Sequence, residues 1–121
     1  MMLTFVLPFP PSTNNAYANV RGRRVKSKAA RAYALEVRQA VAEQFPAHER
    51  FEFSDRRLRV NITAHEPDRR RRDIANVEKL ATDAVMKQLG TDDRYIDDLR
   101  ITRGMRSRNG GSITYQIEVL S

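Results

Sequence analysis

Pro67-Asp68-Arg69-Arg70-Arg71-Arg72-Asp73-Ile74-Ala75-Asn76-Val77-Glu78-Lys79 decides how the rest of this chain reads. Four consecutive arginines run into an acidic residue that stands where a helix should open. After it, Val77, Leu80, Ala81, Ala84, Val85 and Leu89 recur at the helical period and build one apolar face, which predicts a helix over about 73–89. Asn76, Lys79 and Asp83 fall on a neighbouring flank at about 100° per residue. Gly90 ends the helix, and Asp92-Asp93 lies in the loop beyond it.

Before this stretch, Leu58, Val60, Ile62 and Ala64 alternate with Arg59, Asn61 and Thr63, the pattern of a half-buried strand. A helix and a tight turn can return the chain so that the next strand, from Asp97 to Thr102 with Ile101 inward, lies beside it. Arg103, Arg106 and Arg108 then lead to Asn109-Gly110-Gly111, a hairpin signal. The final strand carries Ile113, Tyr115, Ile117 and Val119, and the last two strands are expected to pair antiparallel.

Towards the N-terminus, Leu3–Leu7 reads as a strand closed by Pro8, Pro10 and Pro11, with a loop over 11–15. Residues 19–28 form a basic turn or small hairpin around Gly22. Ser27 caps a predicted helix over about 28–45, whose apolar contacts include Tyr33, Val37, Val41 and Phe45. Residues 46–55 read as a loop. The sum is an α+β fold in one domain spanning 1–121, with a mixed sheet of about four strands, two helices and the order β-α-β-α-β-β.

The 121 residues are 40% hydrophobic and include no cysteine, which excludes disulfides and thiolate metal sites and fits a cytoplasmic location. The N-terminus lacks the pattern of a signal peptide, and no apolar run is long enough to span a membrane. Lysine and arginine number 22 against 15 acidic residues, a net charge of +7 that favours a polyanionic partner. Only four of the basic residues are lysines (Lys26, Lys28, Lys79 and Lys87), and arginine's planar fork suits phosphate oxygens.

Arginines beside separated carboxylates suit one chemistry: Arg69, Arg70, Arg71 and Arg72 hold a phosphate backbone while carboxylates hold a divalent metal against it. Plainer roles exist for each residue. Asp73 suits an N-cap, Asp92-Asp93 a solvated turn, and Lys79 a solvated helix position. Lys79 could also reach a scissile phosphate and steady its charge. His48 and His65 are isolated and are not expected to be ligands. The spacing alone leaves open whether Asp93 reaches Asp73.

Pro8-Phe9-Pro10-Pro11-Ser12 with Asn14, the run from Pro67 to Asp73, then Asn76, Lys79 and Asp83, and finally Asp92-Asp93, resemble the RusA-type Holliday junction resolvases over nearly the whole chain. The resemblance implies a homodimeric, Mg²⁺-dependent endonuclease, with Mn²⁺ able to substitute, that binds four-way DNA junctions and nicks two opposed strands symmetrically. It implies phage or prophage relatives, no membrane partner and no small-molecule cofactor. By position, Asp73 and Asp93 would be metal ligands, Lys79 the catalytic lysine, and Arg69–Arg72 with Lys79 the DNA contacts.

One position departs from the family pattern. A second essential aspartate is expected two residues after Asp73, and Ala75 stands there. Alanine neither ligates metal nor activates water, so the chain as it stands is expected to bind junctions better than it cuts them. An introduced inactivating substitution is the favoured origin, with natural loss the alternative. Two rival readings remain: a non-catalytic DNA- or RNA-binding module using the same arginines, and a metal nuclease without junction preference.

Overall fold

A computed structural model describes residues 2–12, 17–45 and 53–120 of the chain. The main sheet has four strands: β1 (Met2–Pro8), β4 (Leu58–His65), β5 (Ile96–Arg103) and β6 (Ser112–Val119). They lie in the order β1-β6-β4-β5, with β4 and β5 parallel and the other pairings antiparallel. Two helices, α1 (Lys28–Gln44) and α2 (Lys79–Leu89), pack against each other and share one apolar core with the sheet.

Alternation explains which sheet face is covered. Leu58, Val60, Ile62 and Ala64 are buried, as are Ile113, Tyr115 and Ile117 beside them and Phe5 and Leu7 on β1. Their neighbours Arg59, Asn61 and Thr63 are half-exposed and lie opposite Glu118, Gln116 and Thr114 on the other face.

The parallel β4-α2-β5 unit agrees with the expectation that α2 returns the chain beside β4. The pairing of the last two strands does not. β6 enters between β4 and β1, and β5 sits at the edge. Ile113, Tyr115 and Ile117 are all 0% exposed, so β6 needs a neighbour on each side. Leu99 remains 43% exposed, which an edge strand tolerates.

Residues 104–111 therefore make a crossing past the end of β4 and not a hairpin. Gly104 N–H donates to Ala64 O and Ser107 N–H to Glu66 O, while His65 Nδ1 lies 2.7 Å from Met105 O. A side chain at Gly104 would place its Cβ 2.6 Å from Thr63 Cγ2, so the crossing needs glycine. Gly111, at φ +78°, turns the chain back against His65 and Phe9.

The small basic hairpin is present as β2 (Tyr17–Val20) and β3 (Arg23–Lys26). Arg21 and Gly22 both have positive φ (52° and 77°), which matches the right-handed twist of two short strands. Ser27 caps α1 as its sequence predicts, its Oγ accepting from Ala30 N–H at 3.1 Å. Tyr33 on α1 donates to Pro8 O at 2.8 Å, and Arg38 Nε donates to Gln88 Oε1 at 3.1 Å, tying α1 to β1 and α2.

The predicted loops over 11–15 and 46–55 lie largely outside the described residues, as do Asn14 and His48. Phe53 is described, and its ring meets Phe45 edge-on at 5.5 Å. No helix among the described residues is long and apolar enough to cross a membrane.

Candidate active site

The arginine run is extended and irregular between β4 and α2. The predicted helix opening at residue 73 is corrected by the structure: a 3-10 turn spans Ile74–Asn76, and α2 starts only at Lys79. Two i→i+3 hydrogen bonds close the turn, from Asn76 N–H to Asp73 O and from Val77 N–H to Ile74 O, both 3.1 Å. Ile74, Asn76 and Val77 are weak helix formers, and buried Val77 anchors the chain in the core before α2 begins. At the far end Gly90, at φ 74°, closes α2 in the left-handed conformation.

This local geometry shapes Asp73. Its backbone is extended (φ −81°, ψ 121°), and its side chain makes no capping hydrogen bond although it occupies a cap position. The residue is exposed, so its carboxylate faces solvent. Ala75 is exposed one residue into the turn. The turn packs against β5.

Lys79 opens α2 and meets two carboxylates. Its Nζ lies 3.0 Å from Asp93 Oδ2 and 3.1 Å from Asp83 Oδ1. The hydrogen bond to Asp93, and then that to Asp83, hold the ammonium pKa well above the usual lysine value. Asp93 is held below the usual carboxylate range, first by Lys79 and then by a hydrogen bond with Asp92. The acidic pair divides its labour: Asp92 Oδ1 accepts from Arg94 N–H at 3.0 Å and caps the 3-10 turn Asp93–Tyr95, which leaves Asp93 to Lys79.

Beneath this cluster the Tyr115 hydroxyl donates to Thr82 Oγ1 at 3.0 Å inside the core. Burial pushes the phenol pKa up, and the charges of Glu78, Asp83 and Asp93 add to it.

The four arginines are not equivalent. Arg69, Arg70 and Arg71 are exposed. Arg72 has a side chain only 21% exposed and serves as a strut, with Nη1 2.9 Å from Asp68 Oδ1 and 3.6 Å from Glu66 Oε2. Its guanidinium stands over the Phe9 ring at 5.3 Å, and its carbonyl accepts from Arg103 Nη2 at 2.6 Å. Arg103 is bound in turn to Glu66 at 3.1 Å. Repulsion within the run is therefore relieved partly inside the chain, by acids on either side of Pro67.

The structure thus joins Lys79 to Asp93, while Asp73 stands exposed on a separate turn beside Arg71 and Arg72. Sequence reasoning placed Asp83 on the flank of Lys79 without a role; its i,i+4 spacing was the available signal. The roles of Phe9, Glu66 and Arg103 had no local signal, because each depends on a distant partner. His65 bonds Met105 O and Thr114 Oγ1.

Among the described residues, no three carboxylates or imidazoles stand together as a metal cage. The donor set fits a Mg²⁺ ion only of the kind that uses one or two carboxylates and completes its shell with water and phosphate oxygens.

The family model for endodeoxyribonuclease RusA matches residues 8–118. The chain is 32% identical over 107 residues to the crossover junction endodeoxyribonuclease rusA of Enterobacteria phage HK97, covering 88% of this chain and 86% of the relative. It is 33% identical over 119 residues to the crossover junction endodeoxyribonuclease RusA of Escherichia coli strain K12, covering 94% and 92%. The RusA of Shigella sonnei strain Ss046 is 32% identical over 122 residues, with the same coverage of 94% and 92%. The match takes in the Pro8–Ser12 segment, the arginine run, α2 and β5 together, and the chain belongs to the RusA family of endodeoxyribonucleases.

Proposed function

We propose that this chain is a structure-selective endodeoxyribonuclease of four-way DNA junctions, with a cleavage site impaired at position 75. The observation that carries the reading is the exposed Asp73 carboxylate, separated from three exposed arginines only by the part-buried Arg72, with Lys79 held on Asp93 beyond it. The names of the relatives, all crossover junction endodeoxyribonucleases, supply the substrate.

Arg69, Arg70 and Arg71 hold phosphates flanking the scissile bond, while Arg72 keeps the run in place. Asp73 and Asp93 would hold Mg²⁺, with Mn²⁺ as a substitute; when bound, the ion polarises the phosphate and makes its water more acidic. Lys79 steadies the negative charge that grows on the phosphoryl oxygens, and Asp83 keeps its ammonium aimed. Position 75 stands where a further carboxylate would organise the ion and the attacking water, and alanine provides none.

A homodimer fits the substrate, because two identical sites related by a two-fold axis match the approximate symmetry of a junction. The reading places the protein in the cytoplasm, with its DNA. A non-catalytic binding module is the second reading, and Ala75 is the observation in its favour.

The test compares a four-way junction with a linear duplex of the same sequence in a gel-shift titration across salt. Preference for the junction, with affinity falling steeply as salt rises, supports the reading. Equal affinity for both DNAs removes the junction claim.

A further inference from the structure

A groove runs between the segment that follows β1 and the arginine run. Two adjoining cavities form it, of about 320 and 630 Å³, and both are lined by Phe9, Pro10, Pro11, Ser12, Arg71 and Arg72. The smaller extends to Asp73 and Asn76, and the larger to Ala29, Ala32 and Glu36 on α1. The groove therefore opens directly beside the carboxylate placed at the scissile phosphate.

We propose that this groove is a subsite for one unstacked nucleotide of the bound DNA strand, adjacent to the phosphate at Asp73. The inference rests on the junction-nuclease reading and deepens it. Three observations carry it. First, the walls are flat and stiff. The Arg72 guanidinium stands over the Phe9 ring at 5.3 Å, so the two form one stacked pair along the groove, and Arg72 is held by Asp68 and Glu66. Aromatic rings and arginine planes are the surfaces on which unpaired bases stack.

Second, the groove has groups for both ends of a nucleotide. Arg71 is exposed on its rim for a phosphate, and Asn76 and Ser12 offer an amide and a hydroxyl for a base edge or sugar. Third, the smaller cavity beside Asp73, about 320 Å³, is of a size to take one nucleotide. Four-way junctions favour such an occupant. In an open junction the bases at the crossover lack one regular stacking neighbour, so less stacking is lost when one leaves the helix.

The experiment is an abasic scan of a four-way junction. Each nucleotide within three positions of the crossover is replaced in turn by an abasic residue, and affinity is measured for this chain, Ser12→Trp and Phe9→Leu. The proposal expects one position at which base removal weakens binding about tenfold, within the range of one base–aromatic stack. Ser12→Trp fills the groove from an exposed position, and should erase the dependence on that base. Phe9→Leu should shrink it while the fold is kept. A scan in which no position matters by more than about twofold overturns the subsite while leaving junction binding intact. A base dependence that survives unchanged in both variants overturns it too. Failure to distinguish the intact junction from linear duplex defeats the parent reading, and the subsite with it.

Discussion

The Lys79 ammonium lies 3.0 Å from Asp93 Oδ2, fourteen residues along the chain and across the whole of α2. The same nitrogen is 3.1 Å from Asp83 one turn along the helix, so two acids from different elements fix one cation. Both partners of the Lys79–Asp93 pair are about half exposed, so the pair adds little to folding stability.

Asp83→Asn should therefore lower cleavage in a catalytically restored Ala75→Asp background without lowering junction affinity. The expected loss is about tenfold in the single-turnover rate. The change in folding free energy should stay below about 1 kcal/mol, as for an exposed helical pair. An unchanged cleavage rate would show that Asp93 alone positions the lysine.

Arg71→Ala and Arg72→Ala should part company in two assays. Arg71 is exposed, so its loss should weaken junction binding and flatten the salt dependence by about 0.9 in logarithmic slope for one phosphate contact. Arg72 is bound to Asp68 and Glu66 and stacks on Phe9, so its loss should lower the thermal midpoint as well. Equal thermal midpoints for the two variants would contradict the strut assignment.

Gly104→Ala should destabilise the fold by about 1–3 kcal/mol, the range for overpacking. The new methyl would stand 2.6 Å from Thr63 Cγ2 and 2.8 Å from His65 Cε1, where the chain crosses the end of β4. Chemical denaturation measures the effect. A change within experimental error would mean that the crossing relaxes freely.

Two buried phenols, Tyr33 and Tyr115, weaken the fold in alkali, and Tyr115 is the one beneath the candidate site. Its folded-state pKa lies above the ordinary value of 10.0 because burial opposes the phenolate. Above about pH 10 the unfolded chain loses this proton and the folded chain keeps it, so stability falls as pH rises. Tyr115→Phe should lessen that alkaline decline. It should also cost about 1–2 kcal/mol at neutral pH, because Thr82 loses its buried partner. Identical slopes of stability against pH above 10 in the two proteins would contradict the assignment.

Much of the fold is legible because it rests on local periodicity. The alternation of Leu58, Val60, Ile62 and Ala64 defines β4, and the Ser27 cap and the Gly22 turn locate α1 and the hairpin before it. Two features escape local reading. The place of β6 is decided by the burial of Ile113, Tyr115 and Ile117 between two neighbours, and the Asn109-Gly110-Gly111 signal marks a reversal without naming the strand beyond it. The start of α2 is set by Val77 entering the core, which a helical pattern counts as one more apolar position.

The candidate site divides in the same way. Its residue types are visible as a run of arginines and spaced acids. Which arginine is a strut depends on Glu66, Phe9 and Arg103 meeting around Arg72, and no spacing encodes that meeting.

The central claim is that position 75 is the missing element of a junction-cleaving site. In a continuous helix, residues 73 and 75 would diverge by about 200°. Here Asp73 is extended and the 3-10 turn begins after it, so the divergence of a continuous helix does not apply. The direct measurement is Mg²⁺-dependent cleavage of one labelled four-way junction by this chain and by Ala75→Asp. The account predicts comparable binding by both, paired symmetric nicks by Ala75→Asp, and a rate at least about a hundredfold lower for the chain with alanine, the scale of losing one electrostatic catalytic group. If Ala75→Asp binds the junction and remains as inert as this chain in Mg²⁺ and in Mn²⁺, position 75 is not the missing element, and the binding-module reading replaces this one.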